Sequence, residues 1–218
     1  MDDQRLLAYL EEFISPARID RFSEVLKERT KYITVALEDV FQLHNTSAVI
    51  RSCEVFGIQE AHVIEARFGK RLDKNIAMGA QQWVDVHRYK NTKTCIQELR
   101  DSGYQIMATV PSISATPLDD FEIDRKTALF FGTEKEGLSD EVLRSSDGLL
   151  RIPMFGFTES LNISVSAAIL LHQLSTKLRK TNLPWQLSES EKLKIRLDWT
   201  KKSIKSIDDI LNRYRSVH

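Results

Sequence analysis

The run Ser160-Leu161-Asn162-Ile163-Ser164-Val165-Ser166-Ala167, a few residues after Ile152-Pro153-Met154, decides how this chain reads. Ile163, Ala167, Leu170, Leu171 and Leu174 recur at helical spacing, so a long apolar helix is expected over 161–180. Asn162 is a residue type that caps a helix N-terminus. Two earlier segments stand in fixed order ahead of this run. One is Asn45 with Arg51 six residues on; the other is Gly132-Thr133-Glu134-Lys135-Glu136-Gly137.

Around these segments, strand-like and helix-like stretches alternate. Strands are expected at 33–40, 61–65, 84–89, 105–110, 127–131 and 149–152. Helices are expected at 46–56, 91–101 and 139–146, the first begun by Asn45 as N-cap and stopped by Gly57. Such alternation argues for an α/β domain with a mainly parallel sheet and helices on both faces. Two short helices, 4–13 and 19–30, precede it. After Asn182-Leu183-Pro184, Ser188 with Glu191 reads as a capping box for a further helix. The layout is a helical arm over 1–31, an α/β core over 32–180 and a basic helical extension over 181–218.

Ordinary nucleotide-binding loops do not fit. The loop after the first strand, Phe41-Gln42-Leu43-His44-Asn45, has no glycine, against the GxG of a dinucleotide fold. The run from Gly132 to Ser139 nearly matches a P-loop, but Leu138 stands where the phosphate-binding lysine belongs, which argues against a nucleotidase.

The three segments together resemble the SpoU (TrmH) branch of the SPOUT superfamily, the knotted RNA ribose 2'-O-methyltransferases. The resemblance covers nearly the whole core. It implies a C-terminal deep trefoil knot, S-adenosylmethionine as methyl donor, and a homodimer. It also implies that Arg51 is the catalytic residue, with Asn45, Glu134, Ser160 and Asn162 arranging it and the cofactor. The adenosine would lie against Thr109, Gly132, Ile152 and Leu161, with Met154 nearby. Among family members, the plan looks most like those that methylate the D-loop guanosine 18 of tRNA. The same chemistry on ribosomal RNA or on the tRNA wobble nucleotide, and a catalytically silent RNA-binding domain, are the competing readings.

Composition sets the remaining expectations. The chain has 218 residues, 42% hydrophobic and 28% charged, as an ordinary globular protein does. Cys53 and Cys95 lie far apart and the five histidines do not cluster, so no disulfide framework or metal site is indicated. The opening residues do not read as a charged-then-apolar leader. The longest apolar run, Ala167 to Leu171, is too short for a bilayer, so a reduced, cytoplasmic setting without membrane contact is expected. Net charge is zero, yet residues 177–218 hold eleven Lys/Arg against five Asp/Glu. That basic tail suits an RNA partner. Arg18, Arg21 and Arg29 in the first arm, with Lys177, Arg179, Lys194 and Arg196 towards the end, are the candidate phosphate contacts.

Overall fold

Among the described residues there are seven strands, the inner ones drawn from runs rich in β-branched, aromatic and other apolar residues. They are β1 (Ile33–Glu38), β2 (Glu60–Ile64), β3 (Asp85–Tyr89), β4 (Gln105–Thr109), β5 (Thr116–Pro117), β6 (Thr127–Phe131) and β7 (Gly148–Arg151). The computed structural model describes residues 3–40, 42–66 and 79–217. Its helices are α1 (Asp3–Glu11), α2 (Pro16–Lys27), α3 (Leu43–Val55), α4 (Thr92–Asp101), α5 (Asp140–Ser145), α6 (Ile163–Leu178), α7 (Glu189–Ser203) and α8 (Ile207–Val217).

The strands form one sheet in the order β3-β2-β1-β6-β4-β7-β5, and every pairing among the described residues is parallel. Parallel neighbours need crossover connections, and α3, α4 and α5 lie in three of the connections between successive strands. All six residues of β1 and all five of β6 are buried. Strands covered on both faces are expected to read as nearly continuous apolar runs, as these do.

Alternate strand residues feed two cores. Ile33, Val35, Leu37, Leu129 and Phe131 pack with Val49, Ile50 and Cys53 of α3 and Leu170, Leu171 and Leu174 of α6. Ala36, Ala128 and Phe130 point the other way, onto Cys95, Ile96 and Leu99 of α4 and Val142 of α5. Helices therefore cover both faces.

The chain divides into two compact units: Thr30–Trp185, which is the α/β sheet unit, and Met1–Arg29 with Gln186–His218, which is helical. In the helical unit, Leu6, Leu7 and Leu10 of α1 pack with Leu197 of α7 and with Ile210 and Tyr214 of α8. Glu11 and Arg196 form an ion pair at 2.5 Å that ties α1 to α7. The Ser188–Glu191 capping box forms as expected.

One local expectation is corrected. Asn45 is not the cap of α3: the helix begins at Leu43, with Gln42 as a cap residue that makes no side-chain capping bond. Asn45 thus sits inside the first turn, and its amide is spent elsewhere. The other end follows the expectation, with Gly57 in the left-handed region at φ 78° just past the C-cap Phe56.

Candidate active site

The carboxyl ends of parallel strands are where α/β folds place ligands, because loops there can converge without blocking the sheet. Three such loops do so here. Residues ending and following β4 (Thr109, Val110, Pro111), after β6 (Gly132–Gly137) and after β7 (Ile152, Met154, Ser160, Leu161) line one cavity of about 400 Å³. Phe131, Leu150, Ile163 and Leu170 make its apolar floor, and Glu134, Lys135 and Glu136 bring charge to it. The size and the mix of apolar wall and few polar groups suit a small organic ligand.

The loop after β6 is tightly closed. Thr133 and Gly137 exchange backbone hydrogen bonds, N–H to carbonyl at 2.9 and 3.0 Å. A Cβ on Gly132 would lie 2.1 Å from the Gly137 carbonyl carbon and oxygen, so only glycine permits the closure. Gly137 itself has φ 72°, a conformation that favours glycine.

At this loop Asn45, Glu134 and Asn162 meet. The Asn45 amide nitrogen donates to Glu134 Oε1 at 2.9 Å, and the Asn162 amide nitrogen donates to the same oxygen at 2.7 Å. Asn162 also donates to Asn45 Oδ1 at 3.1 Å. Asn45 is buried, at 2% exposure, so satisfying its amide matters. Asn162 keeps its capping role, its Oδ1 accepting from the Ser164 N–H at 2.8 Å at the start of α6. Three separate elements are thereby joined through side chains only.

Of the candidates named from sequence, Thr109, Gly132, Ile152, Met154 and Leu161 all line the cavity, as do Glu134 and Ser160. Arg51 is exposed on α3, about 1.7 turns beyond Asn45, and is not among the cavity-lining residues.

The candidate RNA contacts fare differently. Arg18, Arg21 and Lys194 are exposed. Arg29 is 1% exposed, with its guanidinium 5.4 Å from the centre of the Trp199 ring, so it is a packing residue. Lys177 gives its ammonium to the carbonyls of Leu118, Asp119 and Phe121 at 3.2, 2.6 and 3.1 Å. These use all three of its donors. Arg179 bonds to the Ser175 and Phe56 carbonyls and lies over Trp185. Arg196 is committed to Glu11. Composition counts such charges but not the intramolecular partners that claim them.

Neither cysteine is available for chemistry. Both are buried. Burial, then the carboxylates of Glu98 and Glu38, push the Cys95 thiol well above its usual range. Among the described residues, no three His, Cys, Asp or Glu side chains gather as metal ligands, and no helix is long and apolar enough to cross a membrane.

A parallel α/β sheet, a closed glycine loop after β6 and a capped helix after β7 around one cavity define the class. The chain belongs to the SpoU rRNA methylase family, whose pattern matches residues 32–172. It is 40% identical over 218 residues to the tRNA (guanosine(18)-2'-O)-methyltransferase of Borreliella burgdorferi, covering 99% of this chain and 100% of that one. The enzyme of that name from Thermus thermophilus is 33% identical over 188 residues, covering 85% of this chain and 97% of its own. Among solved structures, the Aquifex aeolicus TrmH/SpoU tRNA modifying enzyme superposes with a TM-score of 0.78 at 29% identity, over 86% of this chain and 97% of that one. The SpoU methyltransferase AviRb from Streptomyces viridochromogenes, solved with the cofactor AdoMet, shares the fold with a TM-score of 0.62 at 20% identity, over 72% of this chain and 65% of that one.

Proposed function

We propose that this protein transfers a methyl group from S-adenosylmethionine to the ribose 2'-hydroxyl of guanosine 18 in the D-loop of tRNA. The observation that carries the reading is the Asn45–Glu134–Asn162 cluster beside the cavity, in a chain similar over its full length to an enzyme named for that reaction.

The residues present fit the cofactor. The cavity offers an apolar slot between Leu150, Ile152, Leu161 and Leu170 for a flat ring, and the glycine loop offers backbone groups and acidic side chains for polar ends. Thr109, Gly132, Ile152, Met154 and Leu161 would hold it. When bound, S-adenosylmethionine supplies a methyl group on a cationic sulfonium, so the electrophile is the cofactor's own. The protein's task is to place the hydroxyl in line and handle its proton. The Arg51 guanidinium offers a fork of N–H donors and no acceptor. In this reading it stabilises the negative charge that grows on the ribose oxygen as the proton leaves to water or phosphate. Glu134, Asn45, Asn162 and Ser160 hold the surrounding loops in register for that geometry.

The trefoil knot belongs to the same reading, supported by the family match over residues 32–172. So does a homodimer. Leu161, Val165 and Ile169 leave an exposed apolar stripe on and just before α6, and Phe155 and Phe157 stand fully exposed in the segment leading to it. A second copy of the chain would cover them. The helical unit, with Arg18, Arg21 and Lys194 exposed, supplies phosphate contacts that position tRNA. Since its substrate is tRNA, the enzyme works in the cytoplasm.

The test is transfer of tritiated methyl from S-adenosylmethionine to unmodified tRNA transcript, followed by mapping of the labelled nucleotide. Label on the ribose of guanosine 18 is expected. Label confined to ribosomal RNA would move the target, and no label on either would overturn the enzymatic reading.

A further inference from the structure

Glu38 is a buried carboxylate outside the cluster just described. It ends β1, an interior strand flanked by β2 and β6, and is 3% exposed. Its Oε2 accepts from the backbone N–H of Ser139 at 2.8 Å, and its Oε1 accepts from the Ser139 hydroxyl at 2.7 Å and the Thr92 hydroxyl at 2.6 Å. A buried carboxylate is costly unless its oxygens are so engaged. Two of those three donors belong to one residue.

That residue is where the glycine loop ends. Ser139 follows Leu138 directly and caps α5, its side chain accepting from the Val142 N–H. The loop's entry is fixed by β6, and its base by the Thr133–Gly137 exchange. Its exit is held by Glu38 through Ser139. Leu37, the residue before Glu38, pairs with Phe131, the residue before Gly132. The end of β1 therefore grips both sides of a loop that lines the cavity and carries Glu134.

We propose that Glu38 is a positioning residue for cofactor binding, acting through Ser139 to set the position of loop 132–138 against the cavity. The proposal rests on the cavity being the S-adenosylmethionine site. Chemistry dictates glutamate at this position. Three donors converge on it, and a carboxylate only accepts, through two oxygens. Glutamine keeps one acceptor oxygen for the Ser139 N–H, but its NH2 would compel the Ser139 and Thr92 hydroxyls to turn from donors into acceptors, and it brings no charge to strengthen these bonds. Aspartate, shorter by one methylene, would not reach.

The experiment is calorimetric titration of S-adenosylmethionine into the full chain and its variants, alongside thermal unfolding without ligand. Glu38→Gln is expected to weaken cofactor binding by about tenfold or more, as loss of a hydrogen bond to a charged group implies. Binding of tRNA by the same protein without cofactor is expected to stay within about twofold, since that surface is elsewhere. A folded Glu38→Gln protein with unchanged cofactor affinity overturns the proposal. Should Glu38→Gln not fold, Ser139→Ala removes one of the two Ser139 contacts and should weaken cofactor binding about threefold to tenfold. Unchanged affinity there, with only a lower Tm, leaves Ser139 a simple helix cap and overturns the proposal equally. Wild-type protein that binds no S-adenosylmethionine would sink the reading of the cavity instead, a result distinguishable from either.

Discussion

Asn162 donates to Glu134 Oε1 at 2.7 Å, so the cap of α6 is bonded to the loop that follows β6, 28 residues earlier. One asparagine thereby starts a helix and closes a site. The two jobs carry different signatures when it is removed.

Asn162→Ala should lose both. Loss of an N-cap costs about 1 kcal/mol, typically 0.5–2. Turnover should fall much further, by ~10²-fold, because Glu134 and Asn45 lose a shared partner. Urea unfolding and steady-state methyl transfer on the same preparation check this. A variant that loses stability but keeps turnover would reduce Asn162 to a cap.

Arg51→Ala should separate catalysis from cofactor binding. Arg51 is exposed and does not line the cavity, so the Kd for S-adenosylmethionine should stay within about twofold. Turnover should drop by ~10²-fold or more. Retained turnover in a rapid-quench assay would remove Arg51 from the mechanism.

Gly132→Ala should disrupt cofactor binding through the backbone. The new methyl meets the Gly137 carbonyl carbon at 2.1 Å, a distance no rotamer can relieve. The loop must open, at a cost of roughly 2 kcal/mol or more. Calorimetry should find weaker cofactor binding together with a lower Tm.

His62 makes the protein acid-sensitive well away from the site. It is 5% exposed and stacks on His87 with ring centres 5.0 Å apart, while its Nδ1 meets the Tyr89 hydroxyl at 3.1 Å. Burial first, then the His87 charge, hold its pKa down to about 4 against the opposing pull of Glu60. The unfolded chain therefore binds a proton that the native state refuses. Stability should decline as pH falls from about 6.5 towards 4, by at most about 3 kcal/mol. Urea midpoints at pH 7 and pH 4.5 should differ more for the wild-type chain than for His62→Gln.

Phosphate contacts from the helical unit would show as salt dependence. Binding of tRNA should weaken steeply between low and physiological salt. Lys194→Ala should reduce the slope by about one, whereas Arg29→Ala should lower Tm instead, because its guanidinium packs on Trp199. Filter binding across a salt series decides between them.

How much of this was legible beforehand varied with the kind of interaction. Strand β6 shows in the sequence because Thr127–Phe131 is a run of bulky residues buried on both faces, and α6 shows because Asn162 is a true cap. The start of α3 does not show, since Gln42 makes no side-chain capping bond while Asn45, a strong capping type, sits inside the first turn. The two-residue β5 is too short for any periodicity. Strand order is also hidden: β6 lies between β1 and β4, an outcome of long-range pairing. In the site, motif residues were readable. Glu38 was not, because a lone glutamate ending an apolar strand carries no mark of the donors that will reach it.

The pairing of α1 with α7 has a consequence for how the molecule is made. Residues 12–188 separate the two helices in the chain. At roughly 5–20 residues per second, a ribosome takes about 10–35 seconds to cover that distance. The sheet unit, contiguous from Thr30 to Trp185, is complete before α7 exists. Throughout that interval Leu6, Leu7 and Leu10 have no α7 to cover them, so the helical unit can assemble only after the whole sheet unit has been made.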